Sequence, residues 1–208
     1  MPRPNRREER RRALIHEIAR TFSERGYART TTAELARRCG VQENILYRLW
    51  PDKRTMFTAC IDYVYDLSRG IWQELLGSVP AGISPAEHLL RYEARHYGEF
   101  GFHRIVFAGL SETDDPGIRR HLRTMYQRFQ SFVAEQIRAH RAGCGEGEPD
   151  ADTAAWAVIG LGTMANIGQE FGLLSQAGRA RLIGDAGSLL LDGAGRPSAR
   201  RAGRKRTN

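Results

Sequence analysis

Apolar positions recur along this chain at the three- and four-residue spacing of helices, so the fold expected is all-α. Ile15, Ile18, Ala19 and Phe22 make one apolar face of a helix from about Arg10 to Gly26, and Tyr27 can fold back onto it. Between Thr30 and Phe57 the stripes shorten. Leu35, Ala36 and Cys39 fit one short helix, Ile45, Leu46 and Tyr47 a second. A longer stripe follows, with Phe57, Cys60, Ile61, Val64, Leu67, Ile71 and Leu75 on a helix from Lys53 to Leu76. After a Gly/Pro break, Ser84 with Pro85 and Glu87 starts a helix reaching about Phe100, and a short helix spans Phe102 to Glu112. Asp115 caps a helix carrying Ile118, Leu122, Met125, Tyr126, Phe129, Val133 and Ile137 to Arg141. The stretch from Ala142 to Asp150 reads as a surface loop. From Asp152 to Phe171 apolar residues cover nearly the whole helical circumference, which predicts burial on every side. A last helix, about Ala177 to Leu191, has one apolar face.

The two short helices are the most specific feature. Thr31 can cap the first, and Glu34 stands where its side chain can return the bond to the Thr31 amide. Gly40 supplies a left-handed stop, and Trp50-Pro51 ends the second helix. Two short helices around a glycine turn form a helix-turn-helix, with the preceding helix as its support. The residues TTTAELARRCGVQENILYRLWPDKRTMF resemble the DNA-binding segment of the TetR family of bacterial transcriptional regulators. Leu35-Ala36, Gly40-Val41, Leu46-Tyr47, Trp50 and Lys53 carry the likeness, which extends over roughly Ile15 to Phe57. It implies an N-terminal three-helix DNA-binding domain, a C-terminal helical ligand-binding and dimerisation domain, and a homodimer. The division expected is a disordered basic arm (1–12), the DNA-binding domain (13–57), the ligand and dimerisation domain (58–193) and a disordered basic tail (194–208).

Charge follows the same division. The net +8 splits as +4 over 1–12, +3 over 13–57, −5 over 58–193 and +6 over 194–208. A basic head on an acidic body points to nucleic acid for the head and a different partner for the body. Without a signal-like or membrane-length apolar run, a cytoplasmic protein is expected. Cys39, Cys60 and Cys144 form no CxxC pair and read as small hydrophobes. No nucleophile elbow, phosphate loop or HExxH motif is present, so neither an enzyme nor a cofactor is expected, and no metal site.

The residues expected at DNA are Thr31, Thr32, Gln42, Glu43, Asn44, Ile45, Tyr47, Arg48 and Lys53. Those from Gln42 to Arg48 lie on the second motif helix, where side chains can enter the major groove: amides for adenine, Arg48 for guanine, Glu43 for cytosine, Ile45 for a thymine methyl. Phosphate contacts from Thr32, Tyr47 and Lys53 are implied by the family resemblance. Tyr63, Trp72, Phe107, Tyr126, Phe129 and Trp156, with Phe100, are aromatic candidates to line a site for a small apolar ligand. Trp156, Gly160, Met164, Ile167, Leu182, Ala186 and Leu189 are the expected dimer interface, two helices from each subunit forming a four-helix bundle. The partners expected are therefore double-stranded operator DNA, a second copy and an unknown small molecule, with no membrane. The function expected is repression relieved by that small molecule; the alternative is a dimeric DNA binder with no effector.

Overall fold

The computed structural model describes residues 6–96, 98, 101–142 and 150–193. Among these the regular structure is entirely helical. In chain order the helices are α1 (Arg6–Arg29), α2 (Thr32–Arg38), α3 (Glu43–Leu49), α4 (Lys53–Leu76), α5 (Pro85–His96), α6 (His103–Leu110), α7 (Pro116–Arg141) and α8 (Ala151–Glu170). Then come α9 (Gln176–Arg181), a π-helical turn (Leu182–Ala186) and α10 (Gly187–Asp192). No helix among the described residues is long and apolar enough to cross a membrane. The tail 194–208, most of the 142–150 loop, Phe100 and Cys144 lie outside the described residues.

Contacts group the chain into two units, residues 1–69 with 100–127 and residues 70–99 with 128–208. The first is built on the apolar face of α1. Ile18, Ala19 and Phe22 are fully buried there, with Leu35 of α2, Leu46 of α3 and Phe57 of α4. Phe22 and Phe57 meet edge to face at 5.0 Å, and Tyr27 folds back to 4.9 Å from Phe57. The fold-back needs a chain reversal, and Gly26 makes it with φ 74° and ψ 173°, interrupting α1 before its last turn. Residues 6–12, expected to be a disordered arm, are helical and form the first two turns of α1. Also in this unit, α6 packs on α1 and buries Ile105 and Val106. Asp115 accepts from the amides of Gly117 at 2.7 Å and Ile118 at 3.0 Å, capping α7 as its spacing predicts.

The second unit has a core of Ala86, Ala134, Ile137, Ala154, Ala155 and Leu191. Small residues dominate because the helices approach closely: a Cβ on Gly187 would lie 2.6 Å from Leu90 Cδ1. The box at the start of α5 closes both ways, the Ser84 amide donating to Glu87 Oε2 at 2.9 Å and the Glu87 amide to Ser84 Oγ at 3.2 Å. His140 bridges Ser84 Oγ, at 2.7 Å, and Asp192 Oδ1, at 3.0 Å. Arg141 donates to the carbonyls of Leu190 and Leu191 at 2.6 and 3.0 Å. These bonds satisfy the orphan end of α10.

Candidate nucleic-acid interface

The reading helix α3 is seven residues long and held from one side. Leu46 and Leu49 are buried, and Ile45 is half-buried. Glu43 and Tyr47 are one turn apart on the open side, and so are Asn44 and Arg48. All four are exposed, as is Gln42, which precedes the helix and makes no side-chain cap bond. Of the expected base readers, then, Ile45 alone spends much of its surface on packing.

Ahead of α3, Thr31 accepts from the Glu34 amide at 3.2 Å and caps α2. The return half of the predicted box does not form. The Glu34 carboxylate turns to Arg37 at 2.8 Å, Arg38 at 3.0 Å and Arg25 at 3.2 Å. Three guanidinium donors outcompete one amide, and the bonds from Arg37 and Arg38 hold the Glu34 carboxyl down at about 2. Arg38 also pairs with Glu24, which ties α2 to α1. Gly40 then takes φ 64°, and the Val41 amide reaches back to the Ala36 carbonyl at 3.0 Å, closing α2 with a left-handed residue.

Thr32 Oγ1 lies 3.1 Å from Tyr47 Oη. Two of the side chains expected on phosphate are thus neighbours, on adjacent helices, with hydroxyls on the open side. Lys53 is different. Its ammonium donates to the carbonyls of Tyr27 and Thr30 at 3.1 and 3.2 Å and sits 4.4 Å from the Tyr27 ring centre. It closes the end of α1, with one of its three N–H donors unspent.

Arg7 and Arg11 lie in the stretch expected to be a disordered basic arm, yet both donate to the Leu49 carbonyl at the end of α3. The signal for this in the sequence is faint: two arginines one turn apart, and a proline that leaves a carbonyl orphaned.

The expected ligand residues fall in both units. Tyr63, Phe107 and Tyr126 belong to the first unit. Tyr63 there stands 3.1 Å from His16 Nδ1 and edge-on to Phe102. Trp72, Phe129 and Trp156 belong to the second. Trp72 stacks on Phe132 at 4.6 Å, meets Phe129 at 5.6 Å, and donates from Nε1 to Glu93 at 2.6 Å. Burial pushes the Glu93 carboxyl up, against the pull of the Trp72 bond and of His96.

Trp156 is 49% exposed on α8 and separate in character from that cluster, and Met164 on the same helix is 53% exposed. Gly160 between them is open too. So α8, predicted to be buried on every side, shows one bare apolar face in the single chain, because Ala154, Ala155, Gly162, Ala165 and Asn166 take the inward side. Leu189 of α10 is 69% exposed, while Ile167, Leu182 and Ala186 are half-buried.

Comparison with known proteins gives this arrangement its context. The model for bacterial regulatory proteins of the tetR family matches residues 14–60. The nucleoid occlusion factor SlmA of Vibrio vulnificus is 44% identical over 149 residues, covering 70% of this chain and 73% of the relative. SlmA of Haemophilus influenzae is 49% identical over 51 residues, and that match spans only 22% of its length. A TetR-family transcriptional regulator from Cytophaga hutchinsonii superposes with a TM-score of 0.73 at 14% identity, over 92% of this chain and 98% of that one. AibR, solved with isovaleryl coenzyme A and operator DNA, superposes with a TM-score of 0.62 at 18% identity, over 87% and 97%. The match over α1 to α3, the long relative and the shared fold agree: this chain belongs to the TetR family of bacterial regulatory proteins.

Proposed function

We propose that the chain is a sequence-specific DNA-binding transcriptional regulator, working as a homodimer, in which residues 13–57 read operator DNA and residues 58–193 dimerise and bind an effector. The observation that carries this reading is the open side of α3, where Asn44, Arg48, Glu43 and Tyr47 stand exposed on a helix anchored by Leu46 and Leu49. These side chains have the donors and acceptors that base edges require. Thr32 and Tyr47, one hydrogen bond apart, and the unspent donor of Lys53 are the proposed phosphate contacts. The bare face of α8 with Leu189 is the proposed dimer seam. A second copy then presents a second α3, and both enter one face of the duplex when they stand about 34–36 Å apart.

The effector part rests on Trp72, Phe129, Phe132 and Glu93. A largely buried carboxyl beside stacked rings favours an organic cation with an apolar body, which gains a counter-charge and ring faces together. AibR's complex with isovaleryl coenzyme A and operator DNA is a precedent within the fold for one chain holding both kinds of partner. Effector binding is proposed to change the spacing of the two α3 helices through α4, and so to relieve repression. Calorimetric titration of a candidate cation, with and without operator, tests this, because coupling must weaken both partners by one factor. Equal affinity in both titrations makes the small molecule a passenger. A second reading, a dimeric DNA binder without effector, draws on the Vibrio relative, whose name is that of a nucleoid occlusion factor. It gains if no small molecule releases the DNA.

A further inference from the structure

We propose that Arg11, with Arg7 beside it, is a positioning residue for DNA reading: it fixes the C-terminal end of α3 by gripping the Leu49 carbonyl. The proposal rests on α3 being the reading helix. That helix stops because Pro51 has no N–H to donate and disfavours helical geometry at Trp50. Trp50 is extended, with φ −131° and ψ 128°, and its amide donates to the Leu46 carbonyl at 2.8 Å. The Leu49 carbonyl is left without a described backbone donor outside the helices.

Three guanidinium N–H groups fill the gap. Arg7 Nη2 donates to it at 3.1 Å, Arg11 Nε at 3.0 Å, and Arg11 Nη2 joins them. The Arg11 guanidinium also lies 5.7 Å from the buried Trp50 ring, and Glu8 stands 3.8 Å from its remaining nitrogen. Arg7 and Arg11 are one turn apart on α1, so a single helix face delivers both cations to the negative end of α3.

The consequence for reading is geometric. A seven-residue helix is far too short to hold itself in water, so its direction depends on what grips its ends. Base readout tolerates displacement of only about 0.5 Å. Losing the grip should therefore blur discrimination between bases. A phosphate contact behaves differently: its loss weakens all DNA alike and lowers the salt slope by about one.

The test uses the full chain as Arg11→Ala, Arg11→Lys and Arg7→Ala, titrated against a selected operator and a scrambled duplex over a range of salt. The expected result for Arg11→Ala is a fall of about tenfold in the ratio of operator to scrambled affinity, with both salt slopes nearly unchanged. Arg11→Lys keeps the charge without the two-pronged grip and should lose most of the same ratio. Equal weakening on both duplexes with a slope lower by about one makes Arg11 a phosphate contact and overturns the proposal. So does an unchanged ratio in all three variants. Should Arg11→Ala fail to fold, Arg11→Lys and Arg7→Ala decide by the same ratio. A wild-type chain with no operator preference overturns the DNA-reading assignment, and this role with it.

Discussion

The open side of α3 and the open side of α8 are similarly bare: Tyr47 is 46% exposed, Trp156 49% and Met164 53%. Their chemistry is opposite. On α3 the exposed residues are amide, carboxylate, guanidinium and phenol, which lose nothing by facing water. On α8 they are indole and thioether with a glycine between, and an apolar side chain about half exposed forgoes roughly half of the about 1.5–3 kcal/mol that full burial supplies. Exposure on α3 is therefore stable as it stands, and exposure on α8 calls for a cover. The same contrast separates the supports. The end of α3 is held by long-range charged bonds from Arg7 and Arg11, whereas α8 is held by close packing through alanine and glycine.

A charge on the apolar side should have the largest effect. Met164→Glu or Leu189→Glu is expected to weaken the dimer by about a thousandfold, since a buried unpaired charge costs several kcal/mol. Sedimentation then gives the mass of one chain. An intact dimer in both variants would leave the α8 face without its assigned cover.

On the polar side the losses should be smaller and selective. Arg48→Ala or Asn44→Ala should relax preference at one base position in each half-site, at about 1–3 kcal/mol for a bidentate contact. Loss spread evenly over all sequences would make the residue a phosphate contact and not a reader of bases. Lys53→Ala should lower the salt slope by about one if its free donor meets a phosphate, while Tyr47→Phe leaves the slope alone. Because Lys53 also closes α1, a melting curve run alongside separates the two roles.

Much of the frame was legible because it is local. The start of α4 at Lys53, the box at Ser84 and the Asp115 cap follow from residues within four positions of one another. The burial of Leu46 followed from the same periodicity, whereas Tyr47, placed on the same apolar stripe, is exposed. What escaped is long-range. Nothing near Arg11 indicates a carbonyl 38 residues away, and nothing near Lys53 indicates the carbonyls of Tyr27 and Thr30. Glu34 had the right spacing for a box, but arginines from two helices claimed it. The π turn at Leu182–Ala186 left no trace in the apolar pattern.

The smallest effect expected concerns the second unit. Burial raises the Glu93 carboxyl, so its contribution to stability is largest in acid and is lost as pH rises through the raised value. At neutral pH Glu93→Gln should therefore stabilise the chain and raise its Tm. The gain should vanish on acidification. A lower Tm at neutral pH would mean that the carboxylate has a partner that holds it charged.

The contrast between the two faces comes to one claim: α8 joins two copies so that two α3 helices read one duplex. Selection of bound duplexes from a random library by the full chain tests it directly. The account predicts an enriched inverted repeat, with half-site centres about 10 base pairs or a whole multiple apart. A single unrepeated half-site, or no enriched sequence at all, would contradict it.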